Sequence, residues 1–123
     1  MSDPRHTLGL TVESAVADWL TRAGWTILSR RSRAPGGGEV DLIGLDLDGT
    51  LVAVEVRARR HGRVGSAAES IDRRRIGRLR RTLAAMASAA PPHCGLRVDL
   101  VTAEPVTGSA SEWNLRRFPG IDG

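Results

Sequence analysis

The sequence predicts an α/β fold in which a mixed β-sheet is flanked by helices. Two segments have apolar residues at helical spacing, several others have the alternation or the β-branched content of strands, and the two kinds are interleaved along the chain. A chain of 123 residues has room for one hydrophobic core. We therefore predict one domain over 1–123, with flexible ends at about 1–6 and 119–123.

The first predicted element is an amphipathic helix over about 8–23, because apolar residues recur there at intervals of three and four. Gly24 follows at the position where a left-handed residue commonly ends a helix. Alternating residues from Trp25 onward then predict a strand. The loop after that strand contains three consecutive glycines, Gly36 to Gly38, which suit a close approach of DNA or another chain to the strand that carries Asp41.

Two β-rich segments, 39–45 and 50–59, are joined by a turn that ends in Gly49 and predict a hairpin. A two-residue turn would mix charged and apolar side chains on both faces, so the pattern rejects that register. A three-residue loop with Gly49 at a left-handed bulge position gives one wholly apolar face and puts Asp41 directly opposite Glu55. The apolar pairs in this register are Val40 with Val56, Leu42 with Val54, and Gly44 with Val52.

A second helix is predicted from an N-cap at Asp72 to the pair Pro91-Pro92, and strands over 96–102 and 113–118 follow it. The apolar stripe of this helix consists of Ile76, Leu79, Leu83, Met86, Ala87 and Ala90. Opposite the stripe lie Arg74, Arg78 and Arg81, with Arg75 at its margin. Both a solvated basic face and a phosphate-contacting surface are compatible with this arrangement.

The charge balance favours polyanionic partners. All 18 basic residues are arginine, the acidic residues number 14, and the net charge is +4. Nucleic acid is the first candidate partner for such a chain, although other anionic surfaces attract the same charge. No apolar run approaches the ~20 residues that span a bilayer, and the single Cys94 cannot form an intramolecular disulfide. We expect a cytoplasmic protein that does not associate with membranes.

The facing acids are the main chemical signal. Like charges directly opposite each other destabilise a sheet unless a cation or a proton compensates them. Asp41 and Glu55 together could hold Mg²⁺, and such a site suits metal-assisted phosphodiester cleavage. Arg57 follows Glu55 by two positions, so its side chain shares that face. The alternative is an exposed face of unrelated charges. For Glu39 we expect a cross-strand ion pair with Arg57.

These residues lie in motifs that resemble the bacterial YraN-like family. The motifs are Gly38-Glu39-Val40-Asp41-Leu42-Ile43 and Val54-Glu55-Val56-Arg57, with Gly9 and Glu13 upstream and Arg97-Val98-Asp99-Leu100-Val101 downstream. The family looks like a branch of the restriction-endonuclease-like PD-(D/E)xK superfamily and is similar to archaeal Holliday-junction resolvases. The resemblance implies a restriction-endonuclease-like core and a metal-dependent DNA endonuclease, with branched DNA as one candidate substrate.

The resemblance also assigns roles to individual residues. It implies that Asp41, Glu55 and Glu13 hold Mg²⁺, with Mn²⁺ as the alternative, and that Asp41, Glu55 and Arg57 are catalytic. Resolvase-like enzymes are often dimers because they cut two strands, so a homodimer is a further expectation. The residues expected to contact nucleic acid are Arg57, Arg59, Arg74, Arg75, Arg78 and Arg81.

Arg57 departs from the superfamily pattern, which commonly has lysine at this position. Arginine supplies charge and bidentate hydrogen bonds, but it cannot act as a base near neutral pH. Because the chain contains no lysine at all, the exchange neither proves nor excludes catalysis. The alternative function is a non-catalytic nucleic-acid-binding module on a nuclease scaffold, in which Arg57 neutralises the acid pair without metal.

Overall fold

The structure is a computed structural model that describes residues 4–34, 38–58, 72–109 and 112–123. Its helices and strands are α1 (Pro4–Arg22), β1 (Thr26–Arg33), β2 (Glu39–Leu45), β3 (Leu51–Ala58), α2 (Arg73–Met86), β4 (Leu96–Pro105) and β5 (Trp113–Phe118), with a short 3-10 turn, Ala87–Ala89, after α2. The strands form one sheet in the order β1-β2-β3-β4-β5. Neighbouring strands are antiparallel except for the parallel pair β3 and β4. The predicted mixed sheet with flanking helices is confirmed, and it is consistent with a restriction-endonuclease-like core.

The helices cover opposite faces of the sheet. Val12, Val16 and Leu20 of α1 pack in one cluster with Leu42, Val52 and Val54. Leu79 and Leu83 of α2 pack in another with Ile43, Leu51 and Leu100. A strand covered on both faces reads as a continuous apolar run, which explains the sequence of β3 from Leu51 to Val54. Val40, predicted to share a face with Leu42, belongs instead to the cluster that packs against α2.

The hairpin has the predicted register from Leu42 to Leu45, but the predicted pair of Val40 with Val56 is not formed. Leu42 pairs with Val54 and Gly44 with Val52. Asp46 N–H donates to Thr50 O at 3.1 Å, and Gly49 has a φ of 84°. The Asp46 carboxylate accepts the N–H groups of Asp48 and Thr50 at 2.9 and 3.0 Å, which reinforces the three-residue loop. A slip of one residue would exchange the two faces, so this loop determines where Asp41 and Glu55 point.

The helix ends follow the expected local chemistry. Proline suits the first position of a helix because its missing N–H has no helical acceptor there, and α1 accordingly begins at Pro4, earlier than predicted. It ends just before Gly24, whose φ is 99°. At the start of α2, the Asp72 carboxylate accepts the N–H of Arg75 at 2.8 Å, as an N-cap does. No helix among the described residues is long and apolar enough to cross a bilayer.

The C-terminal end differs from the prediction of a flexible segment at 119–123. Gly120 N–H donates to the Asp99 carboxylate at 3.0 Å, and Ile121 N–H donates to Val98 O at 2.9 Å. Asp122 accepts hydrogen bonds from Val98 N–H at 3.0 Å and from Arg80 at 2.5 Å. These polar contacts attach the end of the chain to β4 and α2, and a composition-based argument does not detect them. At the other predicted flexible end, 4–6 belong to α1 and 1–3 lie outside the described residues.

Candidate active site and cleft

The candidate site lies where β2 and β3 stop pairing. The last paired residues toward that end are Leu42 and Val54. Beyond them, Val56 N–H donates to Asp41 Oδ2 at 2.8 Å. A side-chain carboxylate thus replaces a main-chain carbonyl as the acceptor of this N–H. The bond satisfies Val56 and holds the Asp41 carboxylate in one orientation at the point of separation.

Asp41 and Glu55 lie side by side and share a hydrogen bond between their carboxyl groups. Burial, together with that bond and the charges of Glu55 and Glu13, raises the pKa of Asp41 to about 8. Burial acts in the same direction on Glu55, which is 2% exposed, but hydrogen bonds from Arg75 and Asp41 outweigh it and lower the pKa of Glu55. Near neutral pH the pair therefore holds one proton. The predicted juxtaposition of the two acids is present.

Glu13 lies close to this pair without completing a ligand cluster. It is buried on α1, and its charge contributes to the raised pKa of Asp41. Across the described part of the chain, no three His, Cys, Asp or Glu side chains are close enough together to hold a metal ion. Asp41 and Glu55 offer the carboxylate oxygens that Mg²⁺ prefers, and Mg²⁺ often takes one or two protein carboxylates and completes its shell with water.

Arg75 binds Glu55 with two nitrogens. Its Nε donates to Glu55 Oε2, and its Nη2 donates to Glu55 Oε1 at 3.1 Å. Both oxygens of the candidate ligand are therefore engaged by one guanidinium. The sequence placed Arg75 at the margin of the apolar stripe of α2, which is compatible with this contact. Nothing in the local pattern identified Glu55, 20 residues earlier, as its partner.

Arg57 has a weaker contact with the same acid. Its Nη2 lies 3.9 Å from Glu55 Oε2, and its side chain is 33% exposed. The expected ion pair between Arg57 and Glu39 is not formed. Glu39 instead lies 3.1 Å from Arg33 Nη2 and 3.6 Å from Arg31 Nε. Strand β2 has a neighbour on each side, and the side chain of Glu39 turns toward β1 rather than β3.

Arg31 was not singled out by the sequence, yet it borders the site. The pairs Arg30 with Leu42 and Ser32 with Val40 place it opposite Asp41 on β1. Its φ is 50°, a left-handed value that costs a non-glycine residue about 1 kcal/mol or more. Arg31 Nε lies 3.9 Å from Glu13 Oε2. The sequence does not predict a left-handed conformation for Arg31, because the position has neither a glycine nor the residues typical of turns.

An open cleft of about 710 Å³ runs between the start of β2 and α2. Asp41 and Glu39 line it from the strand side, and Arg75, Arg78 and Arg81 line it from the helix side. Gly38 is required at its edge, since a Cβ there would overlap Thr82 Oγ1. Thr82 of α2 thus approaches Gly38 closely, and Gly36 and Gly37 lie outside the described residues.

The predicted nucleic-acid contacts divide into three groups. Arg75, Arg78 and Arg81 share the cleft with Asp41. Arg74 lines a neighbouring depression that also includes Arg78 and Arg81. Arg57 lies beside Glu55, and Arg59 lies outside the described residues. The basic face of α2 is therefore continuous with the acid pair, a proximity that helical periodicity alone does not establish.

Comparison with known proteins identifies the family. The model of the uncharacterised protein family UPF0102 matches residues 12–103. The chain belongs to the UPF0102 family. A UPF0102 protein of Corynebacterium efficiens is 38% identical over 124 residues, which cover 99% of this chain and 97% of that protein. A UPF0102 protein of Symbiobacterium thermophilum is 41% identical over 101 residues, covering 80% of this chain and 82% of that protein.

A third UPF0102 protein, from Paracidovorax citrulli, is 41% identical over 116 residues, covering 89% of this chain and 81% of that protein. The predicted resemblance is confirmed, because UPF0102 is the YraN-like family. The residues matched to the UPF0102 model span the whole candidate site, from Glu13 on α1 through Asp41 and Glu55 to Arg75 on α2. Strand β5 lies beyond the matched range.

Proposed function

We propose that this UPF0102 protein is a metal-dependent, endonuclease-like phosphodiester hydrolase that acts on DNA in the cytoplasm, with branched DNA as one candidate substrate. The observation that carries the proposal is the pair Asp41 and Glu55 at the separation of β2 and β3, bordered by a cleft with arginines on its helical wall. Buried carboxylates beside a basic cleft bring together the two groups that phosphodiester cleavage requires.

The donor set fits a hard divalent cation. Asp41 and Glu55 would hold Mg²⁺ or Mn²⁺, with Glu13 nearby as the third acid. When bound, the metal would polarise a phosphoryl oxygen and lower the pKa of a bound water. The chain itself orients Asp41 through Val56 N–H. Arg78 and Arg81 on the cleft wall would bind backbone phosphates.

A cleavage assay tests this proposal. Wild type, Asp41→Asn and Glu55→Gln are compared on branched, single-stranded and duplex DNA with Mg²⁺ or Mn²⁺. Both substitutions keep the side-chain shape while removing the ligand charge, so we expect both to abolish cleavage. Asp18→Asn is the matched control because Asp18 is exposed on α1. Equal cleavage by all four proteins, or none with any divalent metal, would remove the catalytic proposal.

The contact between Arg75 and Glu55 supports a second candidate function, a non-catalytic nucleic-acid-binding module. Arg75 already engages both of its oxygens, and the described residues contain no three-ligand cluster. A protein in which arginine has replaced the metal would bind nucleic acid through its basic cleft without cutting it. The sequence suggested Arg57 for this neutralising role, but the contacts of Arg75 suit it better.

The two functions differ in their response to a chelator. A non-catalytic module binds DNA with a steep dependence on salt, because binding releases counterions from the phosphates, and EDTA leaves its affinity unchanged. A metal-dependent hydrolase is stabilised by Mg²⁺, since a ligand that binds the folded state alone raises the free energy of unfolding. Salt-dependent DNA binding and thermal unfolding, each measured with EDTA and with Mg²⁺, distinguish the two candidates.

A further inference from the structure

We propose that Arg75 and a divalent cation compete for the carboxylate of Glu55, so that metal and nucleic acid bind this protein cooperatively. This inference rests on the proposed function and adds a regulation of the same site. In the metal-free protein the guanidinium of Arg75 neutralises Glu55. A cation enters when that guanidinium leaves, and a phosphate in the cleft gives the released Arg75 a new partner.

The contact geometry places the two occupants in competition. Glu55 is 2% exposed, and Arg75 donates to both of its oxygens. A cation bound to Glu55 would compete for the carboxylate oxygens that now accept these hydrogen bonds. It would also lie beside a guanidinium of the same charge. Repulsion between like charges in a buried site is strong because little water screens it.

The release of Arg75 requires only a side-chain movement. Its side chain is 39% exposed and lines the open cleft, so it can turn toward solvent without displacing α2. The backbone N–H of Arg75 stays bonded to Asp72 in either case. Glu55 cannot move in the same way, because it is fixed on the central strand β3 and buried. The arginine is therefore the mobile partner of the pair.

The surroundings favour an anion as the new partner of Arg75. Arg73, Arg74 and Arg75 occupy the first turn of α2, which contains no acidic residue. Positive charge in a first turn is opposed by the helix dipole, so these residues are stabilised by nearby anions. The N-cap Asp72 and Glu55 supply two, and a phosphate between Arg75 and Arg78 would supply another. The divalent cation and the phosphate thus both favour the arrangement in which Arg75 has left Glu55. Such coupling is reciprocal, so each ligand should tighten the binding of the other.

Calorimetric titration with Mg²⁺ tests the competition. Wild type is compared with Arg75→Gln, and Arg78→Gln is the matched control because it removes the same charge from the same cleft wall. We expect Arg75→Gln to bind Mg²⁺ at least about tenfold more tightly than wild type or Arg78→Gln. In Arg75→Gln, no charge-assisted hydrogen bonds to Glu55 have to be broken before the metal binds. If Arg75→Gln does not fold by circular dichroism, Arg75→Lys keeps the charge but loses the two-nitrogen contact, and it should bind Mg²⁺ more tightly than wild type.

A second titration tests the coupling. A short DNA duplex with phosphorothioate linkages keeps the negative charge and resists hydrolysis. It should tighten Mg²⁺ binding by wild type and have a smaller effect on Arg75→Gln. Equal Mg²⁺ affinities for Arg75→Gln and Arg78→Gln would overturn the competition while cleavage by wild type still supports the proposed function. Absence of both Mg²⁺ binding and cleavage in every protein would overturn the function and the competition together.

Discussion

Asp41 and Val56 are joined by a hydrogen bond of 2.8 Å between a side-chain carboxylate and a main-chain N–H, at the point where their strands separate. The bond places an ionisable group in a position that a sheet normally fills with a carbonyl. Because the carboxyl is buried beside Glu55, its protonation is part of the stability of the fold.

We predict that the stability of the metal-free protein falls as pH rises from about 4 to about 8, because unfolded aspartate titrates near the lower value and the pKa of folded Asp41 is raised to about 8. The folded state binds the extra proton across this window. The Asp41 contribution is complete below it and is lost through it, by up to about 1.4 kcal/mol per pH unit. Asp41→Asn should remove this slope. Urea unfolding in EDTA at several pH values measures the free energy of unfolding as a function of pH. The same slope for wild type and Asp41→Asn would contradict the assignment of this pH dependence to Asp41.

The two arginines that contact Glu55 should differ in their effect on stability. Arg75→Ala leaves a buried carboxylate without its two-nitrogen partner, and we expect a loss of about 3 kcal/mol. Arg57→Ala removes a contact of 3.9 Å from a partly exposed side chain, so a loss within about 1 kcal/mol is expected. Urea unfolding at pH 7 measures both variants. Equal losses would mean that the Arg75 contact is no stronger than that of Arg57.

Gly38 should tolerate no side chain while Thr82 is present. Gly38→Ala forces a Cβ into Thr82 Oγ1, and overpacking of this kind costs about 1–3 kcal/mol. In a Thr82→Ala background the same substitution should cost less, because the obstructing hydroxyl is gone. Gly95→Ala is the control, since a Cβ there meets nothing within 4 Å. Additive effects of Gly38→Ala and Thr82→Ala in denaturant unfolding would contradict the close approach.

Asp99 should be among the most sensitive positions outside the candidate site. It is 0% exposed and accepts hydrogen bonds from Arg97, Arg117 and Gly120 N–H. Asp99→Asn removes the buried charge that Arg97 and Arg117 share, and breaking a buried pair of this kind costs about 3–5 kcal/mol. The exposed Asp18→Asn serves as the control. The midpoint temperature of thermal unfolding should decrease strongly for Asp99→Asn and not for Asp18→Asn. Similar midpoints for the two variants would argue against a buried network.

Lysine at position 57 tests what the arginine contributes to cleavage. Arg57 approaches Glu55 through one nitrogen at 3.9 Å rather than through a bidentate contact. A point charge can replace a contact of this kind, so we expect Arg57→Lys to keep the cleavage rate within about tenfold of wild type. A far larger loss would mean that the site depends on the guanidinium. A far larger gain would mean that arginine weakens the natural site.

Local rules account for much of the fold. The left-handed Gly24, the Asp72 cap and the three-residue loop with Gly49 each depend on residues close together in the chain, and each agrees with the sequence-based prediction. The hairpin register followed as well, because a period of two leaves one arrangement that separates charged from apolar residues. That register also predicted that Asp41 and Glu55 lie close together, although the pairing of the two strands ends at Leu42 and Val54.

The sequence by itself determined the elements, the register of the hairpin and the acid pair. Only the tertiary structure decided which cations neutralise those acids, because Arg75 reaches Glu55 across 20 residues and Arg31 reaches Glu13 across the packing of β1 on α1. It also turned Glu39 toward β1 and attached the C-terminal residues to Asp99 and Val98. Ion pairing requires two side chains to meet in space, and that meeting depends on how distant elements pack rather than on any local pattern.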